Sequence, residues 1–92
     1  MTVNFKELDV EVQFDNFIKV DVRKALANCI HSATSDIGLD DVARAIYYSE
    51  ESVVPDYYID QIVLILQDPR CNLLASVKKA IIKALTTNTT EN

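Results

Sequence analysis

The chain holds few side chains with chemical potential. Its single histidine, His31, lies two residues after Cys29 and one before Ser32, with Ser35, Asp36, Asp40 and Asp41 close downstream. By residue type, His31 with either serine and an aspartate would make a nucleophilic set. Any serine-containing chain offers such combinations, and only geometry gives them meaning. His31 sits one position off the apolar stripe of its helix, where it reads as half-exposed or as a partner for the last helix carbonyls. Metal binding meets a similar obstacle. Helical positions two apart, such as Cys29 and His31, diverge by about 200°, and Cys71 brings only a third ligand to a site that wants four. Asp36, Asp40 and Asp41 lack the alternating oxygen ligands of a calcium loop and are expected to cap helices. One glycine, Gly38, cannot build a phosphate cradle, and no GxGxxG, GxxxxGK[ST] or GxSxG motif occurs. The expectation is a non-enzymatic protein with no catalytic residue, metal ligand or cofactor.

Surface residues carry the remaining signals. Tyr47-Tyr48 and Tyr57-Tyr58 bracket a polar loop, Ser49 to Asp56, which would place four tyrosines at one corner. Neighbouring helical residues diverge by about 100°, so one ring of each doublet can enter the core while the other remains outside. Exposed tyrosine is favoured at protein interfaces; half-buried tyrosine with a wet hydroxyl is the structural alternative. Lys78, Lys79 and Lys83 make the last quarter of the chain basic, a net +3 over residues 69–92 against −8 over residues 1–68. They form a candidate contact for phosphate or an acidic partner. Equally, lysines favour a helix C-terminus and solubilise its outer face. The helix pair around Gly38 also admits a helix-turn-helix reading. Against that reading, its second helix begins with Asp40-Asp41 and offers only Arg44 as a base-reading cation.

Hydropathy periods predict the elements that position these residues. Leu8, Val10, Val12 and Phe14 alternate with Asp9, Glu11, Gln13 and Asp15, the period of a strand with one buried face. Asp15-Asn16 predicts a tight turn and Phe17–Val20 a returning strand with Ile18 and Val20 inward. Two strands alone are marginal, so this hairpin must lie on helices or join another sheet, and it leaves open edges. Asp21 should cap a first helix over 22–33, with Val22, Leu26, Cys29, Ile30 and Ala33 inward. Asp40 should cap a second helix over 41–48. Ser49-Glu50-Glu51-Ser52 reads as a solvated loop, and Pro55 opens a third helix whose wide apolar surface makes it the central element. Asp68-Pro69 predicts a fourth helix over 69–85. The fold class expected is α+β, mainly α: an N-terminal β-hairpin followed by a compact bundle of three to four helices. Residues 1–85 would form one domain and 86–92 a frayed tail.

Composition agrees with that architecture. Ninety-two residues, 49% hydrophobic, with one Gly and two Pro, fit one helix-rich domain. A net charge of −5 disfavours a general nucleic-acid binder. No basic start with an apolar run marks a signal peptide. The longest apolar run, Ile62–Leu66, is far short of the roughly 20 residues of a membrane span. Cys29 and Cys71 are then expected reduced and buried in a cytoplasm, although the sequence leaves open that they lie near enough to bond.

The words DVRKALAN (Asp21–Asn28) and GLDDVARAIYYSE (Gly38–Glu50), followed by a proline-initiated helix, give the stretch from Val10 to Leu85 a resemblance. It looks like small conserved proteins of unknown function found in prophages and mobile elements. The resemblance implies a bacterial or phage cytoplasmic setting and an accessory role, and it transfers no site residue. Together these features lead to an interaction or assembly module that binds a protein partner or its own copies, with no membrane contact. A nucleic-acid-associated regulator using the basic last helix, or an acidic nucleic-acid mimic, is the alternative.

Overall fold

The computed structural model describes residues 2–86, and these form an α+β fold dominated by helix. In chain order the elements are β1 (Thr2–Val3), β2 (Leu8–Gln13), β3 (Asn16–Val20), α1 (Arg23–Ala33), α2 (Ile37–Tyr48), β4 (Ser52–Val53), α3 (Asp56–Gln67) and α4 (Ala75–Thr86). Residues 87–92, on which most of the expected tail falls, lie outside the described residues; α4 itself runs through Thr86.

The expected hairpin is present, antiparallel, with Leu8 opposite Val20 and Val10 opposite Ile18. Its turn falls at Phe14-Asp15, one residue earlier than the spacing predicts. Asp15 takes the positive φ, 63°, and its N–H donates to the Glu11 carboxylate at 2.8 Å. A register shift between Glu11 and Gln13 breaks the alternation. The inner face is therefore only half used. Leu8 and Val10 are buried, whereas Val12 is 47% and Phe14 96% exposed, and Ile18 across the ladder is 48% exposed. The expectation that all of these point into the core fails because α4 packs on β2, and beyond Val10 the strands overhang the helices.

A second, two-residue sheet escaped the sequence reading. β1 pairs antiparallel with β4, Val3 facing Ser52. This draws Phe5 into the core at full burial, and the Phe5 carbonyl accepts the Val22 N–H at 2.8 Å, tying the N-terminal segment to the start of α1. The loop expected to be solvated thus contains a buried residue: Ser52 is 2% exposed, and its hydroxyl has no partner among the described residues.

Helix starts supply three further corrections. Val22, not Asp21, is the cap of α1. Asp21 instead accepts the Arg23 N–H at 3.1 Å and grips the Arg23 guanidinium at 2.8 Å. Helix α2 begins four residues before the expected position. Asp36 is its cap, accepting N–H bonds from Gly38 at 2.8 Å and Leu39 at 3.4 Å, so Gly38 lies inside the first turn. Helix α4 begins at Ala75 rather than Pro69, because Asp68 organises a separate turn. Its backbone carbonyl accepts the Cys71 N–H at 2.9 Å, and its carboxylate accepts the Arg70 N–H at 2.9 Å and the Arg70 guanidinium at 2.7 Å.

The core gathers Leu26 and Ile30 of α1, Leu39 and Ile46 of α2, Ile62 and Leu66 of α3, and Ile81 and Leu85 of α4, each at most 1% exposed. α3 lies between α1 and α4 as expected of a central helix, while α1 packs most extensively on α2.

Gly38 earns its place through a close approach. A Cβ there would come within 2.2 Å of the Tyr58 hydroxyl, which donates to Asp36 at 3.3 Å. Gly38→Ala should therefore gain little in the parent chain, since the helix preference for alanine is offset by displacing that hydroxyl. In a Tyr58→Phe background the same change should stabilise by ~0.5–1 kcal/mol. Urea unfolding of the four proteins of this double-mutant cycle measures the difference.

Candidate interaction surface

The tyrosines divide between core and solvent as their spacing predicts, but they do not share one corner. Tyr47 and Tyr58 are half-buried against the core, whereas Tyr48 and Tyr57 are 73% and 74% exposed. Within each doublet the rings touch, with centroids 4.8 Å apart for Tyr47–Tyr48 and 4.6 Å for Tyr57–Tyr58. The Tyr58 hydroxyl reaches the N-terminus of α2 at Asp36, while Tyr47-Tyr48 end that helix. At 1.5 Å of rise per residue this separates the doublets by roughly 16 Å. The reason is that the chain returns past α2 through β4, so that α3 begins beside the start of α2 and not beside its end.

Tyr47 and Tyr48 instead line a shallow groove between α1 and α2 with Asn28, His31, Asp40 and Arg44. Lys24 lies over the Tyr47 ring, 5.7 Å from its centroid. In this groove His31 Nδ1 meets the Asp40 carboxylate across the helix pair. That pairing replaces the two expectations for these residues: His31 does not serve the last carbonyls of α1, and Asp40 does not cap α2. Among the described residues, no serine or cysteine lines the groove beside the pair.

Cys29 and Cys71 are not separate reduced thiols but a disulfide, their Cα atoms 6.0 Å apart. The sequence reading extended α4 back to Pro69. The Asp68 turn instead folds Cys71 back against α1. Beside the bond, Ser32, Ile65, Arg70 and Leu73 line a pocket of about 370 Å³. Hydrogen bonds from Arg70 hold the Asp68 carboxyl down to about 2, and Arg23 does the same for Asp21.

Of the three lysines of α4, Lys79 and Lys83 are exposed and line a groove of about 720 Å³. Lys78 is half-buried and does not line it. The opposite wall is acidic, made by Glu7, Asp9 and Glu11 of the hairpin, with Phe17, Ala80 and Ala84 between. Carboxylates so placed would oppose a bound phosphate.

The largest apolar exposure was the least anticipated. Val12, Phe14, Phe17 and Ile18 crowd the outer half of the hairpin at 47%, 96%, 54% and 48% exposure. The sequence counted three of these as inward, and the signal it did contain was the edge that any two-stranded ladder leaves open. No group of three or more histidine, cysteine or acidic side chains among the described residues is placed to hold a metal ion. No helix of the described residues is long and apolar enough to cross a membrane.

The disulfide closes 42 residues of sequence. Reducing it should lower stability, and Cys71→Ser should do the same, by up to about 4 kcal/mol on the chain-entropy account. Alkylation of non-reduced, denatured protein should find no free thiol. Acid should act through the aspartates. Their native pKa values lie below the ordinary 3.8, so the unfolded chain takes up protons first. Their stabilisation is complete above about pH 4 and lost as pH falls toward 2, and Asp68→Asn should make this acid limb of a pH–stability curve shallower. Comparison with protein-family models, curated proteins and solved structures gives no match.

Proposed function

We propose that this chain is a small non-enzymatic interaction or assembly module, accessory to a bacteriophage or mobile element and working in a cytoplasm. The observation that carries the reading is the outer half of the hairpin, where four large apolar side chains stand in solvent beside a core that closes without them. Exposed apolar residues scattered singly need no explanation, but four gathered at one end of a single hairpin, on both of its faces, support a contact surface. The exposed rings of Tyr48 and Tyr57 add two smaller anchors of the type favoured at interfaces. A cytoplasm would keep the Cys29–Cys71 bond under reducing pressure, so thiol trapping in freshly lysed cells reports on the compartment directly.

The alternative, contact with nucleic acid through Lys78, Lys79 and Lys83, draws less support, because the acidic hairpin wall faces the two lysines of the groove. The acidic-mimic variant rests on the net charge of −5 alone.

Replacing Val12 by Thr, Phe14 by Ser and Ile18 by Thr separates surface from core. The triple variant should keep the parent's thermal midpoint within a few degrees, since these residues contribute little to the core. A photo-crosslinking side chain at Phe14 should give a discrete adduct in the native cell, and the Thr changes should remove it. A variant that unfolds, or a Phe14 probe that yields no adduct, would contradict the reading.

A further inference from the structure

The occupant of this surface can be named from the geometry of β3. Among the described residues β3 pairs only with β2, and its other edge carries no strand. Helix α4 packs on β2 and lies beside its acidic residues, so β3 is the outward strand of the hairpin. All of β3 from Asn16 to Lys19 is exposed. An open edge of this kind is a template for another strand.

We infer that the free edge of β3 pairs antiparallel with the same edge of a second copy of this chain, centred on Ile18. This rests on the module reading above and specifies its partner. The register is self-complementary. With Ile18 on the two-fold axis, Phe17 lies opposite the partner's Lys19, and Asn16 opposite the partner's Val20. Directly opposed residues share a face, so on the inner face Ile18 meets the partner's Ile18. On the opposite face, which borders the α4 groove, the Phe17 ring would lie beside the partner's Lys19 ammonium, a favourable cation–ring contact.

Charge permits this pairing. Lys19 is the one charged residue of β3, and within its own hairpin it is held by Asp9 at 2.9 Å. In the proposed register it faces an aromatic ring and not its own copy. Lysine on a strand edge ordinarily discourages pairing; here its charge is already answered. The two-fold axis stands normal to the sheet, producing four strands in the order β2, β3, β3, β2. Both helical layers lie on one side of that sheet, separated by the two central strands.

Sedimentation equilibrium of the full chain, non-reduced, at 1–500 µM tests the inference. The expected result is a reversible monomer–dimer equilibrium. Phe17→Lys should weaken it at least about tenfold, because it sets two lysines against one another across the axis. The same change leaves the hairpin intact, since position 17 opposes Glu11 in its own ladder. An unchanged thermal midpoint confirms that the variant folds. Ile18→Cys should oxidise to a covalent dimer, whereas Leu64→Cys, on the exposed face of α3, should not. A chain that stays monomeric at 500 µM overturns the inference, as does a dimer indifferent to Phe17→Lys. If the Phe14 probe still traps a different protein, that failure leaves the module reading standing.

Discussion

The limit on this structure is how much apolar surface four short helices can cover. A chain of 92 residues has a small interior, and its helices of 11 or 12 residues reach only about 18 Å. They close a core around Leu26, Ile30, Ile46, Ile62, Leu66, Ile81 and Leu85. From the hairpin that core takes Leu8, with Val20 partly buried against it, and Val10 is buried as well. Phe5 and Val54 seal the remaining side through the small β1–β4 sheet. Two ties hold this packing: the Cys29–Cys71 bond, with Cys71 in the core, fixes the turn before α4 to α1, and the Asp36 cap sets where α2 begins. The exposure of the outer hairpin follows from these positions, since α4 is placed beside β2 and only Val20 of β3 packs against the core.

The same arrangement pairs several of the chain's polar groups with one another. His31 and Asp40 meet across α1 and α2, where the pair links two helices. Lys79 and Lys83 confront the acidic edge of β2, so basic charge concentrated in the sequence is partly answered in space. The apolar half of the hairpin has no such answer within the fold. Under the proposed pairing, that half would be completed by a second copy of the chain.

Much of this was legible in the residues. The strand period from Leu8 to Phe14 located the hairpin, and the apolar stripes of α1, α2 and α3 located those helices. The alternation of one ring in and one ring out held at both tyrosine doublets. What eluded the pattern depended on tertiary position. A period of two marks which side chains share a face but not how far the covering helix extends, so Val12 and Phe14 could not be distinguished from Leu8 and Val10. Four aspartates near helix starts competed as caps; Asp36 caps α2, while Asp40 meets His31 across the helix pair, a contact the local pattern does not show. Asp68-Pro69 is a valid helix opening, yet here it makes a turn that delivers Cys71 to Cys29. Strands of two residues, such as β1 and β4, carry too few side chains to show any period.

If the core closes without the outer hairpin, β3 is free to be completed from outside, and amide hydrogen exchange across protein concentrations reads this out. Expected are slow, concentration-independent exchange in α1 and α3 and fast exchange of the outward amides of residues 16–20 in dilute solution that slows as the protein is concentrated. Outward β3 amides protected at every dilution, or core helices whose protection changes in step with the strand, would contradict it.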